Sequence, residues 1–259
     1  MPVDHASAFD LTGRVAIVTG GNGGIGLGMA RGLAAHGATI VVAARNPEKN
    51  AGAVAELRAM GATAEAIRVD VADEASCIAL VASTIERFGR VDVLVNNAGM
   101  NVRKPPHELT LDEWRLVIDT NLTSAFMLSR AVHPHMKSQG GGKIINTGSM
   151  MSLFGSSFAP AYAASKGGIV QFTKSCALSW APDNIQVNAI LPGWITTELT
   201  ERAQVEVPGL FERVLGRIPT GRWGDWDDMA GVAVFLASRA SDYVTGTAIP
   251  VDGGYAAQG

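Results

Sequence analysis

Cysteine is almost missing from this chain: 259 residues hold only Cys77 and Cys176. Two isolated thiols exclude a disulfide scaffold and point to a reducing compartment, with the cytoplasm as the expected location. Each lies in a helix-like stretch with no His or second Cys beside it, so both read as buried bystanders. A metal-ligand set is missing too. His133 and His135 flank Pro134, but no further His, Cys or carboxylate cluster completes four ligands, and the pair falls near a helix end at Gly140. No metal is expected. No apolar run is long enough to cross a bilayer, and residues 1–10 lack the basic-then-apolar order of a leader peptide. The formal charge is −3, which leaves no basic field for nucleic acid or an anionic membrane.

Hydrophobic residues make up 47% of the chain and charged residues 17%, enough to bury a sizeable core. Short β-branched runs at 15–19, 39–43, 66–71, 91–95, 143–147, 185–190 and 248–251 alternate with Ala- and Leu-rich stretches. Those stretches, at 24–36, 47–60, 73–88, 121–137, 159–180 and 225–237, read as helices, with Gly37, Gly61 and Gly89 as stops. Nearly continuous apolar runs mark strands buried on both faces. The pattern predicts an α/β, doubly wound, seven-stranded parallel sheet with helices on both faces, forming one domain over residues 1–259. Residues 192–222 break the rhythm with Pro192, Pro208 and Pro219, as a substrate-binding loop or lid would.

Ligands in such sheets bind beyond the carboxyl ends of the strands, and the chemistry-bearing residues fall there. The first turn reads Thr19-Gly20-Gly21-Asn22-Gly23-Gly24-Ile25-Gly26, between a strand and a helix. Gly20 and Gly24 let backbone approach a pyrophosphate, Gly26 allows close packing, and the helix N-terminus offers free N–H groups. Gly20, Asn22, Gly24, Ile25 and Gly26 are the cofactor-binding candidates of this turn. The second strand ends in Ala43-Ala44-Arg45-Asn46, with no acid to bond a ribose. Arg45 matches the extra phosphate of NADP(H), which is favoured; NAD(H) with Arg45 in solvent is the alternative. Tyr162 and Lys166 stand four apart, on one helix face, with Ser149 upstream. A Lys ammonium one turn away is expected to draw the Tyr pKa down from about 10 toward a usable acid or base. Ser149 is placed to hold the substrate oxygen.

These residues, with Asp70, Asn96-Asn97-Ala98-Gly99, Asn121 and Pro192-Gly193 in the same order, make the chain resemble the short-chain dehydrogenase/reductase family from Gly13 to Gly254. The resemblance implies a Rossmann-type fold and a catalytic set of Asn121, Ser149, Tyr162 and Lys166. It also implies that Asp70 and Val71 flank the adenine. Asn97, Ala98 and Gly99 support the cofactor, and Tyr162 and Lys166 contact it. Pro192, Gly193, Ile195 and Thr197 meet the nicotinamide end. Asn121 holds a water in a proton relay. A homotetramer is implied as well.

Within the family, Gly142-Lys143-Ile144-Ile145-Asn146, Arg222-Trp223-Gly224 and Ala240-Ser241-Asp242-Tyr243-Val244 are similar to bacterial sugar-acid dehydrogenases of the gluconate 5-dehydrogenase and 2-dehydro-3-deoxy-gluconate 5-dehydrogenase type. Asn101-Val102-Arg103-Lys104-Pro105 is similar to tropinone-type reductases. Arg103 and Lys104 either face the substrate mouth or are solvated loop charges, and Arg103 suits a carboxylate. Met100, Met150, Met151, Phe154 and Trp194 are expected to wall the pocket; Arg103, Met151 and Trp194 are the substrate candidates. The reaction expected is interconversion of a secondary alcohol and a ketone on a small molecule, a sugar acid or polyol. Rival readings are a reductase of 3-oxoacyl thioesters or of cyclic or steroid-like ketones, and a non-catalytic dinucleotide-binding regulator.

Overall fold

A computed structural model describes residues 6–258. Residues 1–5 of the 1–10 stretch, read above as no leader, therefore lie outside the described residues. Seven strands form one all-parallel sheet: β1 (Val15–Thr19), β2 (Thr39–Ala44), β3 (Ala64–Arg68), β4 (Val93–Asn96), β5 (Gly142–Thr147), β6 (Ile185–Pro192) and β7 (Ala248–Val251). Their order is β3-β2-β1-β4-β5-β6-β7. The order reverses between β1 and β4, and the crevice at such a switch point is where ligands bind.

The helices are α1 (Gly24–Ala35), α2 (Pro47–Ala59), α3 (Glu74–Phe88), α4 (Leu111–Ile118), α5 (Ser124–Ser138), α6 (Pro160–Trp180), α7 (Glu198–Glu206), α8 (Leu210–Leu215) and α9 (Ala230–Ala237). Every residue of β1, β4 and β6 is buried, as the apolar runs require of strands covered on both faces. Alternate residues point to opposite sides. Ala16, Val18, Ile40 and Val42 pack with Leu33, Leu57 and Val234; Ile17, Val41 and Leu94 pack with Leu80, Leu128 and Cys176.

Several elements differ from the sequence reading, among them β3, α4 and the segment 192–222. β3 covers 64–68 rather than 66–71: Val69 makes a last hydrogen bond to Ala44 O of β2, and Val69 and Val71 pack into the core beside Leu80. α4 was not anticipated, although Thr110 and Glu113 build a reciprocal cap at its start. The expected irregular segment 192–222 contains α7 and α8, packed through Ala203, Leu210 and Val214 onto Leu191 and Met150. Both cysteines are buried and free, and burial pushes each thiol up to about 11. His133 Nε2 lies 3.0 Å from Asp183 Oδ2, with its ring against Trp180. Among the described residues no group of three or more His, Cys, Asp or Glu is arranged to hold a metal, and no helix is long and apolar enough to cross a membrane.

Candidate active site

The glycine turn after β1 is locked against the end of β4. Thr19 Oγ1 accepts from the Asn97 amide at 2.9 Å and the Ala98 amide at 3.1 Å, and donates to Val95 O at 3.1 Å. Asn97 Nδ2 donates to Thr19 O at 3.0 Å. Gly26 has no room for a side chain: a Cβ there would sit 2.3 Å from Gly20 O and 2.5 Å from Asn97 Nδ2. Gly20 takes φ +63°, the left-handed region, beside Asn97 and Ala98. The turn thus leaves backbone where other residues would put side chains, which suits a pyrophosphate.

Across the opening, Thr197 caps α7 and its methyl stands 3.2 Å from where a Gly24 Cβ would be. The turn and the Pro192–Thr197 stretch therefore face each other. Within that stretch Pro192 ends β6, and Gly193 fits against Asp252 where a Cβ would collide at 2.6 Å. Ile195 bridges to Gly224. Asn22 is held by Asn50, whose own amide donates to Ala44 O. Asn50 is 3% exposed and was missed, because one polar residue in an otherwise ordinary first helical turn carries no sequence signal. Arg45 is exposed and makes no hydrogen bond or ion pair among the described residues, so its guanidinium is available. Asp70 follows β3, with Oδ1 accepting from the Ala72 amide. Val71 is buried beneath it.

The catalytic candidates converge on the other side of β4. Lys166, 3% exposed, donates to Thr147 O at 2.6 Å, and its Nζ lies 5.5 Å from the Tyr162 ring centre. Burial alone draws Lys166 down to about 8. Tyr162 moves the other way. Burial pushes its phenol up, against smaller downward pulls from the neighbouring Ser149 hydroxyl and from Arg103. The expected lowering by Lys166 is thus corrected: the ammonium is directed at the Thr147 carbonyl, and desolvation governs the phenol. Ser149 is fixed by a short turn, with Oγ accepting from the Met151 amide at 3.1 Å. Ser152, not anticipated, ties that turn to α6: its Oγ accepts from the Ser149 amide and donates to Lys166 O at 2.7 Å.

Asn121 lies in a π-helical turn, Asp119–Thr123, between α4 and α5. Such turns concentrate at functional sites. Its side chain clamps both backbone atoms of Met100, at 2.8 and 2.9 Å, and donates to Ser165 Oγ. Both amide hydrogens are engaged, so a relay water would have to use an acceptor atom of Asn121.

At the substrate end Arg103 and Lys104 part company. Lys104 pairs with Glu113 of α4, away from the pocket. Arg103, 12% exposed, donates to Leu199 O and to Glu206 Oε2, both at 2.8 Å. Its charge reaches the Tyr162 phenol. Met150 is core, at 2% exposed, packed with Leu191 and Leu210 rather than walling the pocket. Met100, Met151 and Trp194 stay partly exposed. Trp194 packs on Trp223, which stacks on Phe211, and Phe154 meets Tyr255 edge-on. Phe211 and Tyr255 had no motif to mark them, and Trp223 stood only in the Arg222-Trp223-Gly224 stretch. Buried Asn101 Oδ1, Trp194 Nε1 and Thr147 Oγ1 lack partners, a cost that a bound ligand or water would relieve.

Known proteins with this sequence pattern carry dehydrogenase activities. The family model described as enoyl-(acyl carrier protein) reductase matches residues 20–256. The chain is 42% identical to 2-dehydro-3-deoxy-D-gluconate 5-dehydrogenase of Escherichia coli K12, over 97% of this chain and 99% of that one. It is 38% identical to gluconate 5-dehydrogenase of Gluconobacter oxydans, over 97% and 98%. A crystal structure of gluconate 5-dehydrogenase from Burkholderia cenocepacia, in complex with NADP and tartrate, superimposes with a TM-score of 0.93 at 41% identity, covering 98% of this chain and all of that one. With its sheet order, its glycine turn and its Ser149, Tyr162 and Lys166 set, the chain belongs to the short-chain dehydrogenase/reductase family of oxidoreductases.

Proposed function

We propose that the protein is an NADP(H)-preferring dehydrogenase that interconverts a secondary alcohol and a ketone on a sugar acid. The observation that carries the substrate class is Arg103: a guanidinium 12% exposed whose charge reaches the Tyr162 phenol. A largely buried cation whose charge acts on the Tyr162 phenol suits a substrate carboxylate. The similar gluconate dehydrogenases, one of them bound to NADP and the dicarboxylate tartrate, support the same class.

Gly20, Asn22, Gly24, Ile25 and Gly26 would hold the pyrophosphate, Arg45 the additional phosphate, and Asp70 with Val71 the adenine. Asn97, Ala98, Gly99, Pro192, Gly193, Ile195 and Thr197 would hold the rest, Thr197 facing the turn beside Gly24. The open space beside Gly23, at the tip of the turn, fits such a group. When bound, the nicotinamide supplies the hydride acceptor or donor. Ser149 orients the substrate oxygen. Burial favours the neutral form of Tyr162; as the phenol it donates a proton to that oxygen during reduction, and as the phenolate it takes the proton back during oxidation. Lys166, its ammonium on Thr147 O and 5.5 Å from the Tyr162 ring centre, would hold the nicotinamide ribose, and Asn121 supports the loop that carries Met100.

One domain carries both sites, with 192–222 as the lid. A 3-oxoacyl thioester carrier would want a basic rim, and the Lys104–Glu113 pair removes half of the one available. Two buried thiols without a disulfide support a reducing, cytoplasmic setting. Leu111, Trp114 and Leu116 of α4, Phe126 of α5 and Leu178 of α6 are exposed apolar residues, and we assign them to contacts in a homotetramer. Sedimentation at micromolar concentration is expected to give four chains.

The cofactor half is tested by titrating the protein with NADPH and NADH while following nicotinamide fluorescence, then repeating with Arg45→Ala. NADPH is expected to bind more tightly and to lose about tenfold in the variant, with NADH unchanged. Equal affinities in the wild type would remove Arg45 from the site.

A further inference from the structure

Helix α7 is fastened at both ends by its own carboxylates. Glu198, at its first turn, pairs with Lys49 of α2 at 2.5 Å. Glu206, its last residue, pairs with Arg103 at 2.8 Å. Between them only Ala203 is buried, so the helix is held by its ends more than by its body. The two fastenings differ in surroundings. Lys49 and Glu198 are 51% and 71% exposed, and solvent screens them. Arg103 is 12% exposed, while Glu206 remains 50% exposed and returns to water at little cost.

Given a carboxylate-bearing substrate, as proposed above, we infer that Glu206 is a stand-in for that carboxylate: it neutralises Arg103 in the free enzyme, and an anionic substrate displaces it. Two carboxylates on one guanidinium repel each other, so the incoming group has to move the lid's own. A neutral polyol cannot make that exchange and meets an arginine already neutralised. Glu206 thereby sets how strongly the enzyme selects acids over polyols, through Arg103 and without touching the substrate. It is a positioning residue, and its effect falls on KM rather than kcat.

The test compares Glu206→Gln with Glu198→Gln, each assayed with D-gluconate and with the neutral polyol D-glucitol. A turnover-free readout accompanies it, the quenching of tryptophan fluorescence by tartrate in the nucleotide-loaded protein. Glu206→Gln keeps an acceptor for Arg103 but removes the competing charge. The KM for gluconate and the Kd for tartrate are expected to fall about three- to tenfold, with kcat and the KM for glucitol unchanged. Glu198→Gln loosens the other end and is expected to leave the acid-to-polyol ratio as it is. Equal changes for gluconate and glucitol in Glu206→Gln, an equal shift of the ratio in Glu198→Gln, or no tighter tartrate binding would overturn the inference. Failure of the wild type to turn over any sugar acid is a separate result, and it would overturn the proposed substrate class instead.

Discussion

The nucleotide side and the substrate side of the cleft are built from different materials. On the nucleotide side, backbone and buried hydrogen bonds fix the shape: Thr19 and Asn97 clasp β1 to the end of β4, and Gly26 leaves no space for a Cβ. On the substrate side, an ion pair and aromatic faces fix it: Arg103 with Glu206, and Trp194 with Trp223 and Phe211. The first kind of construction tolerates almost no substitution. The second is adjustable, because exposed pairs contribute little stability and can exchange partners. One scaffold can therefore keep its cofactor turn while its substrate changes.

The comparison can be broken at several points. Tyr162→Phe removes the proton donor at the junction of the two sides. It is expected to lower kcat by about 10²–10⁴-fold with nucleotide binding retained, measured by steady-state turnover and by fluorescence titration. Unchanged kcat would take the proton step away from Tyr162.

Lys166 gives a pH signature. Its folded-state pKa of about 8 lies below the ordinary 10.5, so between those values the unfolded chain binds more protons and stability gains with rising pH. Below pH 8 the charged group carries a constant penalty of about 3 kcal/mol. Urea unfolding of wild type and Lys166→Met from pH 7 to 10 should show the wild type gaining on the variant above pH 8. A gap independent of pH would mean that Lys166 is not desolvated.

Gly26→Val tests the rigid side. Overpacking against Gly20 O is expected to cost about 1–3 kcal/mol in denaturant unfolding and to weaken nucleotide binding. An unchanged midpoint would show the turn to be slack. The smallest effect is expected at Lys104→Ala. With Lys104 committed to Glu113, the KM for a sugar acid should change by less than about twofold, within the range of a surface pair. A larger loss would return Lys104 to the pocket.

The same contrast explains what the sequence made legible. Strand runs, the glycine turn and the Tyr162–Lys166 spacing follow from burial on both faces, positive φ and helical period, each of which leaves a local pattern. Helices α7 and α8 left none: α7 buries only Ala203, and Pro208 and Pro219 flank α8 in the manner of a loop. α4 buries only Val117 and was passed over for the same reason. Long-range pairing is silent in sequence. Nothing at Arg103 or Lys104 tells which of two adjacent cations turns toward Glu206 and which toward Glu113. Met150 and Met151 show the same limit, since one is core and its neighbour is partly exposed. The direction of the Tyr162 shift also needed the structure, because it is set by how deeply the phenol is buried.

The most direct measurement is the oxidation of D-gluconate by the wild-type protein, followed by nicotinamide absorbance with NADP⁺ and, in parallel, with NAD⁺. Reduction of NADP⁺, with the higher kcat/KM of the two nucleotides, is the result this account predicts. No reduction of either across a panel of sugar acids, or a clear preference for NAD⁺, would contradict it.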